Sequence, residues 1–367
     1  MSDEYTEVEV LSWGNRIGSS CLGVIFGIIL FLGSFFVLYF NEGRIDYSQI
    51  ASKAIEITAN SPNPAEEGKL IATTGSVTSD ETLGDNLFLK PGKYLALNRT
   101  VEMFAWEESS TTEKTKNVGG SETQTTTYSY NKEWTSSPED SSFFKKPAGH
   151  ENPPKSINDF SAKVTQAKIG IYSLDMQGIR LPSLQQFTPQ LDNLIPDQNI
   201  SLVGDYLFQG NGTLNSPQIG DLRIKYTILP NDFNGTVFGK LDTNNRIVAY
   251  HQGKTKLYLI AQGNKEDAVS QLKSEYTMWL WIFRGVGFLM MWFGLLLAAG
   301  PIAVILDFFP LLGDLVRGIS GAFTIVVAFV LSSITILVSM LIYNPIALAI
   351  AATVTIVVFM ALRKMFR

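Results

Sequence analysis

The sequence predicts an α-helical polytopic membrane protein, with four transmembrane helices and a β-rich α+β extramembrane domain inserted between helices 1 and 2. Three observations predict it. Apolar runs with little or no charge occupy residues 17–40, 278–299, 319–342 and 345–362, whereas 41–277 is polar. Each run is long enough, because a crossing helix needs about 20 apolar residues for a hydrocarbon core roughly 30 Å thick. Within the polar stretch, β-branched and aromatic residues alternate with polar ones, which is the period of a half-buried strand.

Taken in order, residues 1–16 form a tail with acidic Asp3, Glu4, Glu7 and Glu9, followed by the first crossing at 17–40. That run exceeds a signal-peptide core, its flank is acidic and no cleavage pattern follows, so it reads as an uncleaved anchor. In the domain, 41–277, short helices are expected at 45–59 and 266–276, and strands at 70–78, 99–106, 125–134 and in six later segments between 168 and 261. The Ser/Thr-rich run 108–124, with Gly119 and Gly120, reads as an exposed hairpin tip. After the second crossing, 278–299, the connector 300–318 is expected as an interfacial helix, since seven-residue spacing puts Asp307 and Asp314 on one face. The third crossing, 319–342, turns at Tyr343, Asn344 and Pro345 into the fourth, 345–362. The tail 363–367 carries Arg363, Lys364 and Arg367, and positive charge marks the cytoplasmic face. Counting back through four crossings makes the domain extracytoplasmic (periplasmic or lumenal) and residues 1–16 cytoplasmic.

Composition excludes several functions. A formal charge of -5 without a basic stripe argues against nucleic acid as a partner. The single Cys21 leaves no disulfides. His150 and His251 have no carboxylate or Cys at ligand spacing, so no metal and no other cofactor is expected. Neither a phosphate-binding glycine loop nor a nucleophile elbow occurs, and no catalytic residue is assigned. Charge near the membrane carries more information, since a charge at a helix centre costs about 2.5–3.5 kcal/mol. Arg284 either snorkels to the headgroups, pairs with a buried acid or lines a polar cavity. Gly23 and Gly27 have the GxxxG spacing that lets helices approach closely, within the chain or in a homo-oligomer.

Several words of the sequence resemble the LUMA family, also called transmembrane protein 43, which has bacterial members. These are Asn41-Glu42-Gly43-Arg44, Val101-Glu102-Met103-Phe104-Ala105-Trp106, Tyr128-Ser129-Tyr130-Asn131-Lys132-Glu133-Trp134, Gly149-His150-Glu151-Asn152-Pro153 and Gly220-Asp221-Leu222-Arg223, then Arg284, Gly287, Asp307-Phe308-Phe309-Pro310 and Asp314-Leu315-Val316. The ordered set covers nearly the whole chain; departures fall around Gly119 and in the apolar filler of the last two runs. The resemblance implies a four-pass membrane protein with a lumenal or periplasmic domain. In animals the family is described as organising membrane protein complexes in the endoplasmic reticulum and inner nuclear membrane, with emerin and lamins among its partners. No catalytic residue carries over.

The resulting expectation is a non-enzymatic membrane scaffold whose outer domain binds protein or lipid. Its partners would be the bilayer and membrane or extracytoplasmic proteins, and its site a bacterial inner membrane, or the endoplasmic reticulum or inner nuclear membrane in a eukaryote. The alternatives are a channel or transporter subunit, motivated by Arg284, Asp307 and Asp314, and a membrane enzyme acting on lipid or envelope material, for which only His150 speaks.

Overall fold

The computed structural model describes residues 3–196, 199–253, 255–307, 310–344 and 353. The chain divides into a β-rich unit (Met1–Tyr5, Asp46–Thr111, Thr127–Ser274) and a helical unit (Thr6–Ile45, Thr112–Thr126, Glu275–Arg367).

Alternation builds the first sheet of the β-rich unit. Strand β1 (Asp3–Leu11) precedes helix α1 (Trp13–Glu42); helix α2 (Tyr47–Ala51), β2 (Ile55–Thr58), β3 (Leu70–Thr78), β4 (Tyr94–Lys116) and β5 (Glu122–Thr135) follow. The sheet runs β1, β5, β4, then strands Leu222–Pro230, Tyr206–Gln209 and Ser201–Val203. On β4, Val101, Met103 and Ala105 point into a core with Leu97, Leu207, Ile224 and Tyr226, while Glu102, Phe104 and Trp106 take the other face.

The second sheet closes on itself. Strand Phe233–Asp242 pairs with Arg246–Val248, the ladder continues through Tyr172–Asp175 and Gln166–Ile169 to β3, and β3 pairs back with Phe233–Asp242. Ile71, Val77, Ile169, Leu174, Val237 and Ile247 fill the interior of that ring, and two outer strands extend it, β2 paired with β3 and Leu259–Gln262 paired with Phe233–Asp242. Outside it, Ala51, Ala54, Ala268 and Leu272 pack on Leu70, Ala72 and Phe238, which fixes α2 and the first turns of helix α3 (Lys265–Leu306).

In the helical unit, α1, α3 and α4 (Pro310–Tyr343) carry the apolar runs. Among the described residues, three helices are long and apolar enough to cross a membrane, within Trp13–Ala51, Lys265–Leu306 and Ser320–Tyr343. The four-helix expectation is corrected to these three; apart from residue 353, the run 345–362 lies outside the described residues. A domain simply inserted between helices 1 and 2 does not fit either, because Asp3–Tyr5 belongs to the β-rich unit and Thr112–Thr126 to the helical one.

Within the expected connector, 300–318, α3 continues through Pro301 to Leu306 and α4 starts at Pro310. Proline suits the first helical position, where its missing N–H leaves no bond unmade. The expected helix 45–59 shortens to Tyr47–Ala51, because Ile55 and Ile57 alternate with polar residues and pair with β3. The expected hairpin tip 108–124 is mostly strand, with the turn confined to residues 117–121.

Candidate functional site

The helical unit places most of the expected site residues along the seam between α1 and α3. At one end the Arg284 guanidinium grips the Glu42 carboxylate with two bonds, Nε to Oε1 at 2.8 Å and Nη2 to Oε2 at 2.9 Å. The Arg284 guanidinium also lies over the Trp281 ring, 4.8 Å from its centroid. Neighbouring Asn41 donates to the Leu280 carbonyl at 3.0 Å, and Arg44 stacks over Phe283 at 5.4 Å. A Cβ at Gly43 would overlap the Tyr343 ring. Of the readings open for Arg284, the structure shows the pair with a buried acid.

Halfway along the seam the backbones nearly touch. A Cβ on Gly27 would stand 2.7 Å from the Gly294 carbonyl oxygen, and one on Gly294 would stand 2.7 Å from that of Gly27. Gly23 has an ordinary 3.8 Å distance to Leu297. Gly27→Val should therefore lower stability by about 1–3 kcal/mol, the usual range for overpacking, read as an earlier thermal transition in detergent. Gly23→Ala should leave that transition unchanged.

The opposite end of the seam holds a second ion cluster. Arg16 Nη2 lies 2.6 Å from Asp307 Oδ2 and 3.2 Å from Glu122 Oε2, and Lys116 Nζ lies 3.7 Å from Asp307 Oδ1. Asp307 is fully buried. Trp13 Nε1 donates to the Val304 carbonyl at 3.0 Å, and Gly120, at φ +84°, sits against the Trp13 indole where no side chain would fit. Of the remaining expected residues, Pro310 and Asp314 stand on α4. Sequence reading missed Glu122 as a partner, because nothing in a Ser/Thr-rich turn marks one carboxylate for a distant arginine.

In the β-rich unit, the resemblance words converge on the face of the first sheet opposite its core. Arg223 Nε binds Glu102 at 2.6 Å, and its guanidinium lies between Trp134 (4.8 Å) and Tyr206 (4.9 Å). Lys132 stands over Trp106 at 4.5 Å. His150, almost fully buried, stacks on Tyr130 at 3.9 Å and meets Trp106 edge-on at 4.7 Å. Burial and the neighbouring Glu108 push the Tyr130 hydroxyl up to about 12. His150 Nδ1 faces the Lys146 carbonyl at 2.9 Å and Nε2 the Asp3 carboxylate at 3.0 Å. Both ring nitrogens of His150 thus engage partners within the unit. Asn152 bridges the Trp106 backbone, accepting from its N–H and donating to its C=O, both at 2.8 Å. Asp221 accepts from the N–H groups of Asn211, Gly212 and Gln218 and so shapes their loop.

The bond between Asp3 and His150 has a topological consequence. It persists in a bilayer only if both residues stand in one aqueous compartment, although the tail and the domain were expected on opposite faces. In a Cys21→Ser background, cysteines at Glu4 and at exposed Ser142 should then react with an impermeant maleimide from the same side. Reaction from opposite sides would show that the bond opens on insertion.

Asp85 anchors the interior of the unit. Its Oδ1 accepts from the N–H groups of Leu87, Phe88 and Leu89, at 3.1, 2.8 and 2.7 Å, and Oδ2 binds Arg99 at 2.7 Å and the Tyr226 hydroxyl. Burial pushes this carboxyl up, but the Tyr226 hydroxyl, the backbone donors and Arg99 outweigh it and hold it below the ordinary value. The same pairing and burial drive the Tyr226 hydroxyl upward. Among the described residues, no group of three or more His, Cys, Asp or Glu could hold a metal ion.

The family model for Transmembrane protein 43 matches residues 103–345, which takes in both the sheet face and the α1–α3 partner residues on α3. The chain belongs to the Transmembrane protein 43 family. Transmembrane protein 43 of Rattus norvegicus is 25% identical over 362 residues, covering 93% of this chain and 90% of the rat protein. That of Homo sapiens is 26% identical over 94% of this chain and 91% of its own length. The Drosophila melanogaster homolog is 27% identical over 82% and 86%. No solved structure matches. The chain is thus a membrane protein of this family, and its apolar helices are consistent with insertion.

Proposed function

We propose that this family member is a non-enzymatic membrane scaffold, in which the helices form a fixed anchor and the β-rich unit binds protein or lipid. One observation carries this reading: Arg284 and Asp307, two charges at the apolar helices, are matched within the chain, Arg284 by Glu42 and Asp307 by Arg16. An ion pathway needs polar groups that exchange partners with a passing ion, whereas a two-bonded arginine–carboxylate pair is a static clamp. The seam between these pairs is closed by backbone contact at Gly27 and Gly294.

The membrane concerned belongs to the same proposal, with a bacterial inner membrane as the favoured compartment. Cross-linking in native membranes, followed by gentle solubilisation, should recover this chain with other proteins or with itself. Recovery as an unlinked monomer would sink the scaffold reading. Ion flux into liposomes above the protein-free level, reduced by Arg284→Ala, would replace it with the channel reading.

A further inference from the structure

The Asp3 carboxylate is a loose occupant of a rigid pocket. It keeps 52% of its side chain in solvent, whereas His150, which it meets at 3.0 Å, keeps 1%. The wall of the pocket is pinned from several directions. Lys146 N–H donates to the Tyr130 hydroxyl at 2.9 Å, Lys145 N–H to Glu108 at 2.6 Å and His150 N–H to the Pro147 carbonyl at 2.9 Å. Gly149, at φ +89°, makes the turn that leads into His150. None of these bonds involves the tail, and neither does the stacking of the imidazole on Tyr130.

Its chemistry selects an acid. His150 Nδ1 has the Lys146 carbonyl before it and Nε2 a carboxylate, and only the imidazolium donates to both acceptors. Lys146 Nζ, half exposed, stands 4.0 Å from the other Asp3 oxygen. Lys145 Nζ, over the Tyr128 ring at 5.7 Å, adds a third positive group. The nearby acids are turned to other partners, Glu108 to the Lys145 N–H and Glu151 to that of Gly149.

The backbone adds a second requirement. β1 pairs with β5, and residues two apart on a strand share a face. Asp3 therefore brings Tyr5 to its own side, where the ring lies 6.3 Å from that of Tyr128. This is recognition by an added strand, in which main-chain bonds at a sheet edge hold the segment and alternate side chains are read. Asp3, Tyr5, Tyr128, Lys146 and His150 all belong to the β-rich unit.

We propose that this pocket receives an acidic, extended segment of a partner protein, with the pattern acid, any residue, aromatic, and that residues 3–5 occupy it as an internal mimic. The site deepens the scaffold reading, on which it rests, by naming the chemistry of the protein bound. A preorganised site loses little on binding, and an occupant half in solvent yields to a competitor.

The test uses the full-length protein in detergent and a fluorescent peptide of residues 1–11, read by polarisation. Asp3→Asn with Tyr5→Ala in the protein should raise peptide affinity about tenfold, because a tethered tail competes at millimolar effective concentration. In that background His150→Gln should weaken the peptide about tenfold, in line with one lost charged hydrogen bond. Lys146→Gln should weaken it about threefold, as a half-exposed ion pair allows. A peptide carrying the same two tail substitutions should not compete. Lys146 lies half in solvent, so its variant decides the matter even where His150→Gln lowers the thermal transition. In opened native membranes, benzoylphenylalanine in place of Phe143, which is 85% exposed and three residues from Lys146, should cross-link a protein. Lys146→Gln or an excess of the peptide should abolish that product.

Failure of the peptide to bind the tail-substituted protein would overturn the proposal, and so would equal binding by the substituted peptide. A cross-link to a second copy of this chain alone would overturn the partner and make the contact a tail exchange. Protein partners that survive Lys146→Gln would remove the pocket and leave the scaffold reading. Peptide binding with no protein recovered from membranes would remove the scaffold reading and leave the pocket to the chain's own tail.

Discussion

Asp85→Ala should be the most damaging single substitution in the β-rich unit, lowering its stability by about 3–5 kcal/mol, the usual result of breaking a buried ion pair from one side. The loss compounds. Arg99, only 5% exposed, would be left without its carboxylate, and the N–H groups of Leu87, Phe88 and Leu89 would lose their common acceptor. A lost cavity-filling group is the smaller part, because uncompensated buried polar groups cost about 1–3 kcal/mol each. Thermal or denaturant unfolding followed by aromatic fluorescence would measure the change. A loss below about 1 kcal/mol would show that water replaces the carboxylate.

The same group predicts an acid limb. Its carboxyl is held below the ordinary value in the folded protein, so its contribution is fully present above the unfolded value of about 3.9. It declines as pH falls through the lower folded value. Wild-type stability should therefore drop on acidification below about pH 4, and Asp85→Asn should flatten that part of the profile.

The second large effect belongs to the helical unit. Arg284→Ala leaves the Glu42 carboxylate, 4% exposed, beside apolar helices without its counter-charge, at a cost of about 3–5 kcal/mol. Removing both members should cost much less, because two charges no longer need to be desolvated. Arg284→Met with Glu42→Gln should thus recover much of the loss in detergent or nanodisc melting curves. A double variant as unstable as Arg284→Ala would assign the effect to lost packing of the arginine on Trp281.

Local signals were legible in proportion to how locally they are determined. Strand β3 coincides with the expected 70–78, since its β-branched residues alternate and Val77 and Ile71 fill the closed ring. The expected strand 168–173 is instead two strands broken at Gly170, whose φ of +56° permits a turn that alternation alone does not reveal. In the run 108–124, Ser and Thr suit both a loop and a solvated strand, and pairing with distant residues decides between them. Arg284 and Asp307 were visible as costly charges, but Glu42 and Arg16 lie far away in sequence. Only the register of α1 on α3 selects them. Seven-residue spacing likewise puts Asp307 and Asp314 on one face only within a single helix, and it carries no information on where α3 ends, at Leu306, or where α4 begins, at Pro310.

The Asn152 amide beside Trp106 has a further consequence, for assembly. The backbone ladder on this side of β4 ends at Phe104, which donates to the Asp221 carbonyl and accepts from the Gly220 N–H, and at Trp106 a side chain supplies the donor and acceptor that a neighbouring strand would have supplied. Open strand edges recruit other chains. Asn152 therefore acts as a stopper on sheet growth, and losing it would be felt first as sticking between molecules in the crowded plane of the membrane, before any loss of fold.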